Sequence, residues 1–347
     1  MNLTLHATPH PMPTHPDAAV TLHASGRLHL GFLDPAGTLG RRYGSLGLAI
    51  DGFETRVTLG ASPQQVVLAE GAAERAEIGR ATEFLSLLQR HSGLREPLQL
   101  VLGQVLPAHA GFGSGTQLAL AIGRAFAQWH RLDVGTPLLA QWLGRGKRSG
   151  IGIAGFDRGG LLVDGGPGAD GAPAPLLARL PLPEAWRVLV VRDTASQGLS
   201  GADERQAIAT LPPLPQPRAA EICHEVLMRV LPGAASADFA AFAGGVARIQ
   251  QIMGAHFAPA QGGSAFTSAA VGRLVGWVAE AEPLAATGQS SWGPTGFAIV
   301  ASEERAQALL LAARAANVVA PSLDVCSVAA RNHGARSVDS REAQHAR

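Results

Sequence analysis

The stretch Leu106–His130, LPAHAGFGSGTQLALAIGRAFAQWH, constrains the fold of this chain more than any other. Just before it, LQLVLGQVL sets Leu98, Leu100 and Leu102 at alternate positions, the pattern of a strand with one buried face. After the glycines, Leu118, Ala121, Ile122, Ala125, Phe126 and Trp129 recur at helical spacing, with Gly, Ser and Thr at the front as start signals. The predicted order is strand, glycine loop, helix. Gly111, Gly113, Ser114, Gly115 and Thr116 at such a helix start allow close backbone approach, and the orphan N–H groups and dipole there favour an anion. A Walker loop needs a Lys before its Ser or Thr, which this loop lacks, so an ordinary P-loop NTPase is excluded.

Three further segments carry candidate chemistry. In GRGKRSGIGIAGFDRGGLLVDGG, Arg145, Lys147 and Arg148 lie among glycines that prevent a long helix, a setting in which cations can surround a phosphate or pyrophosphate. Asp157 and Asp164 follow, and a carboxylate near bound phosphates holds magnesium or acts on a proton. In ASGRLHLGFLDPAGTLGRRYGSLGLAIDG, Arg27, His29 and Asp34 occupy alternate or turn positions of an apparent strand, and Arg41, Arg42 and Tyr43 follow in a glycine-rich loop. In ATGQSSWGPTGFAIV, the glycines and the hydroxyls of Ser290, Ser291 and Thr295 precede a strand and are placed to close over a ligand from a second lobe.

Composition narrows the partners. With 16% charged residues and a net charge of +1, the chain is neither disordered nor a polyanion-coating protein, so nucleic acid is not an expected partner. Small basic clusters suit a small anionic metabolite instead. Cys223 and Cys326 lack disulfide or metal spacing and fit thiols packed inside a cytoplasmic protein. No apolar run approaches the roughly 20 residues that cross a bilayer, so no membrane partner is expected.

The organisation read from the sequence is a flexible leader over residues 1–18, carrying His6, His10 and His15, then two lobes over 19–185 and 186–335, and a flexible tail over 336–347. The Pro-rich APAPLLARLPLPEAW, ahead of the strand RVLVVRD, places the boundary. Amphipathic helices are predicted at Ile222–Val230, Phe239–Met253 and Val271–Val278, then a strand FAIVA, a helix EERAQALLLAARAA and a closing strand DVCSVAA. The fold class is α+β, with helices packed on antiparallel or mixed sheets in two lobes.

These pieces, in this order, resemble the GHMP kinase superfamily: PAHAGFGSGTQ looks like its phosphate loop and TGQSSWGPTGFAIV like its third glycine motif. Phe112 and Gly115 depart from the usual Leu and second Ser, the latter a position that helps the kinases place a magnesium nucleotide. A closer resemblance is to the β-ribofuranosylaminobenzene 5′-phosphate synthase family, through GRLHLGFLD, GRRYGSLGLAID, AGFGSGTQLALAIG, the basic glycine-rich segment and SSWGPTGFAI. It implies condensation of phosphoribosyl pyrophosphate with 4-aminobenzoate, releasing carbon dioxide and pyrophosphate, on the route to methanopterin. Magnesium is implied, and neither ATP nor pyridoxal phosphate; a homodimer is also implied. On that reading the Gly111–Thr116 loop with Arg145, Lys147 and Arg148 takes the departing charge. Arg27, Arg41 or Arg42 meets a phosphate or carboxylate, and Asp34 or Asp157 meets magnesium or a ribose hydroxyl. His29 orients the arene, Ser291 and Thr295 contribute to substrate binding, and Trp292 or Phe112 forms an aromatic wall. The competing readings are an ATP-dependent small-molecule kinase and a non-catalytic metabolite sensor on the same fold.

Overall fold

The computed structural model describes residues 18–168, 171–198, 206–207 and 210–341. The leader expected over 1–18 lies outside them apart from Ala18. Two sheets organise the chain. The first is seven-stranded, in the order β11-β1-β2-β4-β3, with β5 joined to β2 and β6 to β5. Its strands are β1 (Ala19–Asp34), β2 (Tyr43–Ala61), β3 (Val66–Ala69), β4 (Leu98–Gln104), β5 (Leu161–Asp164), β6 (Leu176–Leu180) and β11 (Arg336–Asp339). All pairs are antiparallel except β3 with β4. The second sheet has the order β10-β7-β9-β8, from β7 (Arg187–Asp193), β8 (Ala286–Gln289), β9 (Thr295–Val300) and β10 (Leu323–Ala329).

Helices α1 (Ala72–Ala76), α2 (Ile78–Ser92), α3 (Ser114–Trp129), α4 (Thr136–Trp142) and α5 (Ile151–Arg158) belong to the first lobe. Leu98, Leu100 and Leu102 of β4 are buried with Leu118, Ala121, Ile122, Ala125, Phe126 and Trp129 of α3, as their alternation and helical spacing predict. Each large side chain so buried contributes about 1.5–3 kcal/mol, which anchors the glycine loop at both ends. The second lobe adds α6 (Gln216–Glu225), α7 (Leu231–Ser236), α8 (Phe239–Phe257), α9 (Ala269–Ala281) and α10 (Glu303–Ala315).

Strand alternation joins the lobes. Val188, Val190, Phe297 and Ile299 face a core shared with Leu28, Leu30 and Leu48 of the first sheet and Phe242, Val246 and Ile249 of α8. Leu189, Val191, Ala298 and Val300 face the other way, onto α9 and α10. Along β1, Val20, Leu22 and Ala24 pack with the first lobe's helices, whereas Leu28, Leu30 and Phe32 pack into the shared core. A register shift between Ser25 and Arg27 turns the strand over. That inversion carries Arg27 and His29 to the side opposite Leu28 and Leu30.

Two expectations are corrected. The predicted helix Ile222–Val230 is α only to Glu225, and Val226–Val230 is a π turn, which rotates Leu227 and Met228 into solvent. The stretch 336–341 is ordered rather than a loose tail. β11 pairs antiparallel with β1 from Val20↔Asp339 to His23↔Arg336. Arg341 donates to the carbonyls of Gln128 and Trp129 at the end of α3 and lies 4.6 Å over the Trp129 ring. These residues are polar because they form a sheet edge and a helix C-terminal cap, so polarity there did not mean disorder. Residues 342–347 of the expected tail lie outside the described ones.

Candidate functional site

The loop before α3 approaches the second lobe backbone to backbone. Gly111 has φ 89° and Gly113, at the N-cap of α3, has φ 74°, a left-handed region that glycine enters without steric cost. Among the described residues no side chain caps α3; Thr116 N–H bonds back to Gly113 O, and the N–H groups of Ser114 and Gly115 are left for a ligand or solvent. Ser290, fully buried, ties the pieces together: its hydroxyl donates to Gly111 O at 2.7 Å and accepts from the His29 N–H at 2.9 Å. β1, the glycine loop and the turn between β8 and β9 thus meet at one side chain.

Around this junction lies a cleft of about 670 Å³. Arg27, His29, Gly111, Gly113, Ser114, Gly115, Thr116, Arg145, Lys147, Arg148, Ser291 and Trp292 all line it. So do Tyr43, from the glycine-rich loop that the sequence marked with Arg41 and Arg42, and Arg80 and His109, which sequence reasoning did not place there. Among the described residues the lining contains those Lys and Arg side chains but no Asp or Glu. Such a charge balance selects a polyanion and repels a free cation.

The basic segment between α4 and α5 is held by Asp164. Its buried carboxylate accepts from the N–H groups of Gly150 and Ile151, from Ser149 Oγ and from Gly166 N–H, at 2.8–3.1 Å. Burial raises its pKa and those hydrogen bonds oppose the rise. Asp164 is thereby the anchor that presents Arg145, Lys147 and Arg148.

Several expected site residues lie elsewhere. Asp34 accepts from the Gly37 and Leu39 N–H groups at 2.8 and 2.7 Å and from the Thr38 hydroxyl, closing its own turn. Asp157 accepts from the Thr136 hydroxyl at 2.5 Å. Neither lines the cleft, and no group of three or more His, Cys, Asp or Glu suited to a metal occurs among the described residues. Asp34 and Asp157 therefore do not fit the magnesium role expected of them. A magnesium ion in the cleft would meet hydroxyls and carry most of its ligation on a phosphorylated substrate. Arg41 donates to Gly166 O and Arg42 to Pro35 O, away from the cleft. Thr295 is fully buried on β9, and Phe112 is buried against Phe53, their rings stacked at 4.4 Å. Trp292 stays in the cleft wall, against Phe257 at 4.6 Å.

His29 is buried, and its pKa is pushed down to about 3, chiefly by burial and then by the charges of Arg27 and Arg148. Its Nδ1 accepts from the Gly31 N–H at 3.3 Å, which assigns the proton to Nε2. Nε2 is itself buried with no hydrogen-bond partner among the described residues. The side chain is a neutral donor, not an acid, at neutral pH. Because its folded pKa lies below its unfolded value near 6.5, the unfolded chain binds the extra proton between those limits, and stability falls as pH drops through the window. In urea titrations at pH 7 and pH 5, His29→Gln is expected to lose about 2 kcal/mol less than the wild type across the interval. Equal losses would show that His29 is protonated in the folded state. His130, lowered to about 4 by burial and Arg341, adds the same sign to both proteins.

Residues 79–160 match the GHMP kinases N terminal domain family. Over 246 residues, the chain is 34% identical to a beta-ribofuranosylphenol 5′-phosphate synthase of Archaeoglobus fulgidus, covering 67% of this chain and 75% of that protein. The chain belongs to the GHMP-kinase superfamily, in the family of these archaeal synthases. A family member of the same description from Methanothermobacter thermautotrophicus is 31% identical over 66% of this chain and 74% of its own length. Among solved GHMP structures, homoserine kinase of Cytophaga hutchinsonii superposes with a TM-score of 0.67 at 15% identity, over 95% of this chain and 100% of that one. Mevalonate diphosphate decarboxylase of Staphylococcus aureus gives 0.64 at 13%, over 93% and 98%. These likenesses establish the two-lobed GHMP-kinase-like fold. No described helix is long and apolar enough to cross a membrane.

Proposed function

We propose that this family member is a β-ribofuranosylaminobenzene 5′-phosphate synthase, joining phosphoribosyl pyrophosphate to 4-aminobenzoate on the route to tetrahydromethanopterin. The observation that carries the reading is the cleft itself: Lys and Arg side chains with no carboxylate among the described lining residues, at a helix start without a side-chain cap, beside an aromatic wall. It suits a doubly phosphorylated donor and a flat anionic acceptor, and the archaeal relatives are described as making a ribofuranosyl aryl phosphate.

In this reaction the bond from ribose C1 to the pyrophosphate oxygen breaks, and its electron pair leaves with pyrophosphate. Electron donation from the para amine lets the ring carbon bearing the carboxylate attack C1. Loss of that carboxylate as carbon dioxide returns its bonding pair to the ring and restores aromaticity. No ring proton is removed, so no strong base is needed. Cations on the departing charge are needed, and Arg27, Arg145, Lys147 and Arg148 are disposed for that task. Neutral His29 offers an Nε2–H to the acceptor rather than a proton.

The relatives are named for a phenol product, which favours a second acceptor, 4-hydroxybenzoate, whose para oxygen donates electrons in the same way. The test supplies carboxyl-labelled 4-aminobenzoate or 4-hydroxybenzoate, with magnesium and phosphoribosyl pyrophosphate, and counts released carbon dioxide. Release only with the ribosyl donor is expected, and the faster acceptor names the product. No release from either acceptor, with ATP consumed in a parallel tube, would replace this reading with a kinase.

A further inference from the structure

Arg80 is the cleft cation that the sequence motifs do not contain. It sits in the first turn of α2 and lines the cleft together with the basic segment. Its Nη1 is held by Glu77, at 2.9 and 3.2 Å from the two carboxylate oxygens. Its other end reaches the start of α3: a Cβ added at Gly115 would lie 2.4 Å from Arg80 Nη2 and 3.5 Å from Arg145 Nη1. A side chain at 115 and the guanidinium of Arg80 therefore compete for one volume.

Two guanidinium groups converge on that volume. Arg145 is anchored over the Phe84 ring at 5.0 Å, with its Nε buried and lacking a hydrogen-bond partner among the described residues. Glu77 is engaged by Arg80, and Glu83 is the acidic neighbour of Arg145. Burial and then the Arg80 charge lower the pKa of Arg145, as a like charge held close by does. Convergent guanidiniums beside an uncapped helix start are relieved by an anion with several oxygens.

We propose that Gly115 and Arg80 are a matched pair: the missing side chain at 115 admits Arg80 beside Arg145, and the two guanidiniums form a subsite for a terminal phosphoryl group. The pair deepens the functional reading above and rests on it only for which substrate carries that group. The pyrophosphate end of the donor and its 5′-phosphate share the chemistry, and binding separates them.

Calorimetric titration of the full chain with inorganic pyrophosphate, and separately with ribose 5-phosphate, is made on wild type, Arg80→Ala, Gly115→Ala and the double variant. Displacing the far end of a flexible Arg costs the fold little, so all four proteins should melt within a few degrees of each other. Each single variant is expected to weaken one ligand about tenfold, the worth of a charged hydrogen bond, and the double variant no further. Weakening confined to pyrophosphate assigns the subsite to the leaving group; weakening confined to ribose 5-phosphate assigns it to the other end. Wild-type affinity in Gly115→Ala, or losses that multiply in the double variant, would overturn the pairing. Arg80→Gln, which keeps a donor for Glu77, serves in place of Arg80→Ala if that variant melts early. Binding is read without turnover, so a failed carbon dioxide assay with an intact cycle would remove the reaction and leave the subsite.

Discussion

Gly293→Ala is expected to lower turnover by about a hundredfold or more while leaving a folded protein. A Cβ at this position would stand 2.4 Å from both Ala110 C and Gly111 N. Those atoms are backbone and cannot rotate aside as a side chain does. Either the glycine loop or the turn between β8 and β9 must move by about an ångström, a displacement that in a reacting geometry costs on the order of a hundredfold. The two segments are also bonded together through Ser290 Oγ to Gly111 O, and Gly198, in the stretch after β7, donates its N–H to His109 O. A shift there reaches Ser291, Trp292 and, through the Ser290 hydroxyl, His29. Overpacking of this kind should lower stability by about 1–3 kcal/mol, so the variant remains assayable. Gly276→Ala is the control, since nothing lies within 4 Å of the added carbon on the exposed face of α9. Carbon dioxide release and thermal melting measured on both would decide it. Activity within threefold of wild type for Gly293→Ala would mean that the seam between the lobes does not fix the site.

The contrast between Gly293 and Arg80 shows what was readable in advance. Gly293 lies in a segment whose glycines and hydroxyls already marked it as a closing loop. Periodicity likewise gave β4 and α3, because both bury one face and their apolar spacing is the record of that burial. Arg80 is a different case: within α2 it is one polar residue on a helix surface, and only the approach of α2 to Gly115 gives it a partner in the cleft. Spacing reports which residues share a face of an element, not which elements meet. The same limit explains the aspartates. Asp34 looked like a site residue because it follows Arg27 and His29, yet an Asp before Pro-Ala-Gly is also what a turn requires, and the turn takes both its oxygens. In the next loop Tyr43, with φ 71°, enters the cleft while Arg41 and Arg42 turn away, a division set by backbone conformation and invisible to composition.

Arg148→Ala is expected to lower kcat by at least about tenfold at saturating substrates, with a smaller change in KM. Arg148 lines the cleft from the segment that Asp164 anchors, and its charge is one of those that hold His29 neutral. If it stabilises the charge gathering on pyrophosphate as the C1 bond breaks, its loss is felt more in the transition state than in the bound substrate. A residue that merely gripped the donor would instead raise KM and leave kcat in place. A second readout follows from electrostatics. Removing Arg148 removes one of the causes that depress His29, so the imidazole pKa rises from about 3, while burial and Arg27 still hold it below 6.5. The acid limb of the pH–rate profile should move upward in the variant, because the acceptor site needs the neutral ring. Arg148→Lys keeps the charge but loses the planar fork, and should recover the pH profile more fully than it recovers kcat. Wild-type turnover in Arg148→Ala would remove the residue from the mechanism. A lowered kcat with an unmoved acid limb would place Arg148 on the leaving group and separate it from His29.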